Sequence, residues 1–281
     1  MHYLQPTRKS YGNYIKIGYE FANHKKVDSK LQELFDKITI IDDSVLIIDD
    51  ILDQSEFRNG KLCFYKIYGL QNAIITAKLQ ESESINVIIY LAKVLKTKEH
   101  YVLKVLETFN EFLYNVYVGQ RMDYELSQIK EFSPKLMKKY FDMIRIFTGG
   151  HVKYGVRIGQ LLANKDTNRD IDILADSIGV IRQICDDYND YFEQHHEPFG
   201  DFKIGCNRLP ELLFKKHNGN REKILKLISQ KKYSEVREIV LTLETRKAMY
   251  EYCKKEHAKI EGLLKKYEIL ISIENFKTII E

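Results

Sequence analysis

The chain has little of what divides a protein into parts. Its 281 residues include only 4 prolines and 14 glycines, and no stretch rich in proline, glycine or serine separates one region from another. A length that allows one or two domains therefore reads most simply as one, spanning 1–281. Cysteine is scarce: Cys63, Cys185, Cys206 and Cys253 show no zinc-type spacing and no small secreted framework around them. This fits a reducing cytoplasm. No sign of charge dominates, because 44 basic and 40 acidic residues are well mixed for a net charge of +4. A field that weak and scattered argues against nucleic acid as a partner. Histidine is scattered too, and His195-His196 reads as a solvated loop. The longest apolar runs fall far short of a transmembrane segment, and no charged-then-apolar leader opens the chain. Neither a convincing alternating strand nor an internal repeat appears.

What is present is helical patterning. A hydrophobic fraction of 44% with regular apolar spacing marks a globular chain. Helices are expected over about 11–22, 71–79, 84–95, 98–128, 133–147 and 170–192, with another ending near Asn164, a short one before Gly69, and three or so after a loop at 197–201. Residues 234–267 read as a charged, amphipathic packing helix. Behind the N-cap candidates Asp28 and Ser29, the residues Leu31, Leu34, Phe35, Ile38, Ile41, Val45, Ile48 and Leu52 recur at three- and four-residue spacing. They predict one long helix.

At the far end of that helix stands Asp49-Asp50-Ile51-Leu52-Asp53. Positions i and i+4 share a helix face, so Asp49 and Asp53 point the same way. Lys37, the nearest upstream cation, lies roughly three turns back, too far to neutralise them. Either these carboxylates are solvated or they hold something positive. The spacing recurs at Asp186-Asp187-Tyr188-Asn189-Asp190, again behind an apolar segment. One such cluster reads as a solvated helix end. Two point to paired sites for Mg2+, which takes a few carboxylates plus substrate phosphate oxygens.

With these motifs the chain resembles the trans-prenyl diphosphate synthases, of the farnesyl and geranylgeranyl diphosphate synthase type. The resemblance covers nearly the whole chain. The family's Arg-Arg-Gly is similar to Arg58-Asn59-Gly60, its Gly-Gln-x-x-Asp to Gly119-Gln120-Arg121-Met122-Asp123, and its Lys-Thr-Gly-Gly to Phe147-Thr148-Gly149-Gly150. The second aspartate motif corresponds to Gln183 through Asp190. The order of the motifs is the family's. The resemblance implies an all-α, isoprenoid synthase-type helical bundle around a deep central cavity, lacking the family's first one or two N-terminal helices, which help form its dimer. A homodimer is compatible with it. The two motifs would face each other and hold a Mg2+ cluster that grips the diphosphate of an allylic prenyl substrate. Asp49, Asp53 and Asp186 are the first choice as metal ligands and catalytic residues. Asp50, Asp187 and Asp190 follow as ligands or their support. Arg58, Gln120, Asp123, Thr148 and Gln183 are expected around the diphosphate, with Lys203 and Arg208 flanking Gly205-Cys206, where the family has Gly-Lys.

The chain also departs from the pattern. The family binds a second substrate, isopentenyl diphosphate, in a basic pocket. The corresponding positions here are Ser10, Asn13, Asp42 and Asn59, and none keeps the usual residue. Arg8 or Lys9 could enter with a small indel. Asp42 lies two turns before Asp49 on the same face, so its carboxylate would point where the second diphosphate should bind. Like charges in a dry site cost several kcal/mol as an order of magnitude. A second reading has Asp42 paired with a nearby Lys and the pocket merely remodelled. Ser44 and Val45, where the family floors its tail cavity, include no aromatic, which favours a C15 or C20 substrate.

The expectation drawn from these departures is a class I isoprenoid synthase. It ionises an allylic diphosphate with loss of pyrophosphate and without isopentenyl diphosphate, by terpene synthase-like cyclisation or prenyl transfer to another acceptor. The alternative is ordinary chain elongation with isopentenyl diphosphate. A non-catalytic partner subunit and a helical scaffold with acidic patches are further readings. The two complete aspartate motifs, and the apolar residues leading into them, oppose both.

Overall fold

The computed structural model describes residues 10–58, 60–192 and 198–266. Asn59, His195-His196 and the segment containing Arg8 and Lys9 lie outside the described residues. The fold is all-α, as the patterning implies. Helices α1 (Ser10–Asn23), α2 (Ser29–Ile38) and α3 (Ile40–Leu52) are followed by β1 (Phe57–Arg58), β2 (Lys61–Leu62), α4 (Phe64–Tyr68), α5 (Leu70–Val94) and α6 (Glu99–Ser127). Then come α7 (Pro134–Ile146), α8 (Thr148–Leu162), α9 (Arg169–Asn189), α10 (Gly200–Ile204), α11 (Leu209–Lys216), α12 (Arg221–Ser229), α13 (Tyr233–Val240) and α14 (Leu243–Lys266). No helix among the described residues is long and apolar enough to cross a membrane.

The helices gather into two compact units. The described residues up to Val118, with Gly150–Ala175, form the first, and Gly119–Gly149 with the described residues from Asp176 onward form the second. In the first unit α3 packs along α5 through Ile47, Ala73 and Ala77. Helices α1 and α8 touch backbone to backbone. A Cβ on Gly159 would sit 2.0 Å from the Ile15 carbonyl oxygen, and one on Gly18 2.0 Å from that of Val156. In the second unit, aromatic residues including Tyr191, Phe199, Phe202 and Phe214 build a core with the aliphatic faces of α12 and α13.

The structure departs from the patterning at four points. The long helix expected up to Leu52 is interrupted at Thr39, between α2 and α3. There the first turn of α1 docks. Gly12 N–H donates to Thr39 Oγ1 at 3.3 Å and Tyr11 N–H donates to Asp42 Oδ2 at 3.0 Å. A helix N-terminus leaves such donors without intrahelical partners, and the break supplies them. By contrast, the two helices expected over 71–95 are the single α5, and the one expected over 234–267 divides at Leu241-Thr242 into α13 and α14.

The fourth departure is a two-stranded antiparallel hairpin pairing Phe57 with Leu62 and Arg58 with Lys61. No periodicity signals strands this short. Asn59-Gly60, the strongest short-range hairpin signal in a sequence, stands between them.

Candidate active site

In the first unit, the end of α3 presents the aspartates and the hairpin returns to meet them. Asp53 caps α3, its N–H donating to the Asp49 carbonyl oxygen at 2.9 Å. From β1, Arg58 Nε donates to Asp50 Oδ1 at 2.6 Å and Arg58 Nη2 to Asp49 Oδ2 at 3.1 Å. The cation that the sequence does not place upstream therefore comes from downstream. Burial works against the Arg58 charge, but Asp49 and Asp50 outweigh it and hold the guanidinium above its ordinary range. Asp50 is turned inward: burial, and then Asp50 beside it, push the Cys63 thiol up to about 12. Asp49 and Asp53 remain partly exposed.

Ser44 and Val45, the expected cavity floor, divide between two roles. Ser44 is fully buried and donates to the Ala77 carbonyl oxygen on α5 at 2.9 Å. It also approaches Glu81, which Lys78 and Tyr117 bind as well. Val45 is the one that shares a helix face with Asp49.

The pocket expected for the second diphosphate is revised at its firmest position. Asp42 is buried, and its carboxylate caps the first turn of α1 through Tyr11 N–H. This corrects the expectation of an anion aimed at substrate. A shared helix face gave the direction of the side chain, but not the element waiting for it. Asn13 is half-buried on α1, and Ser10 opens that helix.

In the second unit, a close helix contact assembles the second motif. A Cβ on Gly179 of α9 would lie 2.4 Å from the Gly149 nitrogen, so Gly179 takes no side chain without a shift. That approach sets Thr148 Oγ1 2.8 Å from Gln183 Oε1, to which it donates, and Gln183 Nε2 donates to Asp187 Oδ1 at 2.9 Å. Tyr140 OH and Leu209 N–H donate to Asp187 Oδ2. Asp187 is thus occupied by internal partners at the start of α11. Burial, only partly offset by Arg208 and those hydrogen bonds, pushes its carboxyl up to about 6.

Asp190 performs a similar task beside α10. Its Oδ2 accepts from Asp201 N–H at 3.3 Å, and its carbonyl oxygen accepts from Phe199 N–H at 2.8 Å. Phe199 adopts φ +65°, a strained value for a bulky residue, while fully buried against Tyr191. Burial and then the charges of Asp201 and Glu211 push Asp190 up to about 9. Burial is also the main cause that pushes Glu211 up to about 8. Of the motif's three aspartates only Asp186 is largely exposed, its side chain 60% accessible and 4.0 Å from Arg182 Nε.

The remaining expected residues are distributed around this frame. Arg208 is locked by Asp123 at 2.5 Å and Asp201 at 3.0 Å, so these partners neutralise one another. Gln120 is buried. Phe147, where the family carries Lys, packs on Gly119, whose added Cβ would meet the Phe147 Cβ at 2.6 Å. Lys203 is half-buried on α10 and Cys206 is buried after it. Tyr140, Asp201 and Glu211 carry no sequence signal, because each is a single polar residue within an otherwise ordinary helical pattern.

Comparison with known proteins identifies the family and the fold. The polyprenyl synthetase family model matches residues 11–244. A geranylgeranyl pyrophosphate synthase of Emericella nidulans is 30% identical over 180 residues, covering 64% of this chain and 42% of that protein. A short chain isoprenyl diphosphate synthase of Methanocaldococcus jannaschii is 32% identical over 155 residues, 54% of this chain and 45% of that protein. The matches thus span less than half the length of these two relatives. A geranylgeranyl pyrophosphate synthase of Dictyostelium discoideum is 26% identical over 253 residues, 88% of this chain and 76% of that protein. Among solved structures, a polyprenyl synthase from Caulobacter crescentus, complexed with calcium and isoprenyl diphosphate, aligns with a TM-score of 0.74 at 17% identity. The alignment covers 98% of this chain and 82% of that one, a likeness of fold.

Proposed function

Because the chain belongs to the polyprenyl synthetase family, we propose that it elongates an allylic prenyl diphosphate with isopentenyl diphosphate. The observation that carries this reading is Asp42. Its Oδ2 accepts from the Tyr11 N–H at the α1 N-terminus, which weakens the main physical objection to a second diphosphate. The reading without isopentenyl diphosphate loses its firmest support with it. The names of the relatives favour a C20 diphosphate product, made from a C15 substrate. Val45, a small residue on the Asp49 face, is compatible with a tail of that length.

Each motif by itself offers donors of the kind a hard divalent cation such as Mg2+ takes, although no group of three metal-binding side chains is gathered among the described residues. Asp49 and Asp53 offer partly exposed carboxylates at consecutive turns, and Asp186 offers an exposed one. Oxygen donors of this kind, completed by substrate phosphate and water, are what Mg2+ prefers. Bound metal would neutralise the charge that grows on the departing diphosphate.

The chain's own residues have the following parts. Arg58 is held charged at the first motif and can move from Asp49 to a diphosphate oxygen, a contact its planar fork makes well. Asp50 retains the other side of Arg58 and keeps it oriented. Tyr140, Gln183 and Leu209 N–H hold Asp187, and through it the turn of α9 that presents Asp186. When the allylic C–O bond breaks, the electron pair leaves with pyrophosphate. The isopentenyl double bond forms the new C–C bond, and a proton is then lost.

The test is incubation of the full chain with Mg2+ and C10, C15 and C20 allylic diphosphates, each with and without isopentenyl diphosphate, with products identified by mass spectrometry. Longer diphosphates are expected only when isopentenyl diphosphate is present. Hydrocarbon or alcohol products formed in its absence would overturn the proposal.

A further inference from the structure

The four cysteines are placed unequally. Cys63, Cys206 and Cys253 are buried, whereas Cys185 is partly exposed. Cys185 stands on α9 directly before Asp186, and Cys253 stands on α14. These two meet across the helix pair, the Cys253 thiol donating a hydrogen bond to the Cys185 sulfur. No spacing in the sequence signals the pair.

Neighbouring contacts hold the thiols together. About two turns before Cys185, Ser177 Oγ of α9 donates to Glu256 Oε2 of α14 at 2.8 Å. Glu256 is also met from a third helix, Arg145 Nη2 of α7 lying 3.5 Å from its Oε1. Beside Cys253, Tyr252 packs on Phe141 of α7 with ring centroids 4.8 Å apart. Helix α14 is thereby fixed against both α7 and α9.

Reversible thiol oxidation needs one sulfur that a small oxidant can reach and a second that can resolve the first product. Cys185 supplies the first and Cys253 the second. We infer that Cys185 and Cys253 are a peroxide-responsive thiol pair, closing to a reversible disulfide that ties α9 to α14 beside Asp186. The Cys185 sulfur attacks hydrogen peroxide, the O–O bond breaks, and Cys185 becomes a sulfenic acid as water leaves. The Cys253 sulfur then attacks Cys185, the S–O bond breaks, and a second water leaves. Two thiols are oxidised and one peroxide is reduced to two waters. A dithiol reductant reverses the closure by exchange. A disulfide brings its sulfurs closer than a hydrogen bond does, so closure draws the Cys185 turn of α9 towards α14 and moves Asp186 with it. That consequence for turnover rests on the proposed function, with Asp186 as a metal ligand. The disulfide itself does not. Misplacing a reacting group by ~1 Å can cost on the order of a hundredfold in rate.

The test is treatment of the full chain with hydrogen peroxide, alkylation of the remaining thiols after denaturation, and peptide mapping by mass spectrometry. A Cys185–Cys253 cross-linked peptide is expected, with Cys63 and Cys206 alkylated. Cys185→Ser is expected to form no disulfide, with circular dichroism unchanged. In Cys253→Ser the sulfenic acid has no resolving thiol, so dimedone is expected to trap it at Cys185 more fully than in wild type. Condensation turnover of the oxidised wild type is expected to fall about tenfold or more and to return with dithiothreitol, while Cys185→Ser is expected to be indifferent to peroxide. A wild type in which Cys185 and Cys253 stay unlinked overturns the inference, whether or not the chain condenses prenyl diphosphates. A linked pair in an active protein with unchanged turnover overturns the displacement of Asp186.

Discussion

Replacing Asp42 distinguishes the two accounts of this site. In the structure Asp42 is buried and its carboxylate receives the Tyr11 N–H at 3.0 Å, in the first turn of α1. A hydrogen bond to a charged group contributes about 1.5–3 kcal/mol net, and its loss leaves a buried amide unsatisfied. The favourable placement of an anion at a helix N-terminus belongs to the same contact and is not added again. Asp42→Ala should therefore cost about 2–3 kcal/mol. Asp42→Asn, which keeps an acceptor, should cost roughly 1 kcal/mol. At about 2–4 °C per kcal/mol for a chain of this size class, the alanine variant should melt about 4–12 °C lower in a thermal scan. The affinity for isopentenyl diphosphate, read as KM for condensation, should not improve. If Asp42 instead repelled that substrate by several kcal/mol, its removal would lower KM more than tenfold, since each 1.4 kcal/mol is a factor of ten. An Asp42→Ala protein with wild-type thermal stability and a tenfold lower KM would refute the capping argument. For the same reason, Asp42→His is expected to lose stability rather than to restore a diphosphate pocket.

Other consequences follow from the same geometry. Asp49→Ala and Asp186→Ala should each lower pyrophosphate release by at least a hundredfold with circular dichroism unchanged, and near-normal turnover in either would remove it from the metal-binding set. Glu211 has a carboxyl raised from 4.5 to about 8, so the folded state binds its proton more tightly than the unfolded state does. Its contribution is complete below about pH 4.5 and is lost as pH rises to about 8, on the order of 3–5 kcal/mol at 1.4 kcal/mol per pH unit. Glu211→Gln should flatten that fall in metal-free urea titrations, and an unchanged slope would mean the group titrates normally. Gly159→Ala places a methyl 2.0 Å from the Ile15 carbonyl oxygen. It should destabilise the protein by about 1–3 kcal/mol or more through forced separation of α1 and α8, and a neutral result would show that these helices separate freely.

Much of the candidate site was legible because it is local. Asp49 and Asp53 follow from helix period alone, and the repeated spacing at Asp186 reveals the second motif without any contact being known. Asp28 as an N-cap is equally local, its Oδ1 accepting from Leu31 N–H at 2.8 Å. Arg58 could be chosen as a ligand for an anion, but not as the immediate neighbour of Asp49 and Asp50. That pairing depends on a hairpin whose strands are too short to show periodicity.

The sequence by itself determined the all-α class, both aspartate motifs and most helix positions, because these depend on spacing within single segments, and the order of its motifs carried the resemblance to the family. The tertiary structure decided which carboxylates stay exposed. Asp49, Asp53 and Asp186 keep exposure, whereas Asp42, Asp50, Asp187 and Asp190 serve the Tyr11 amide, Arg58, α11 and α10. A carboxylate's period on its helix gives its direction. Whether a buried amide or guanidinium occupies that direction depends on segments distant in sequence, such as the 31 residues between Tyr11 and Asp42.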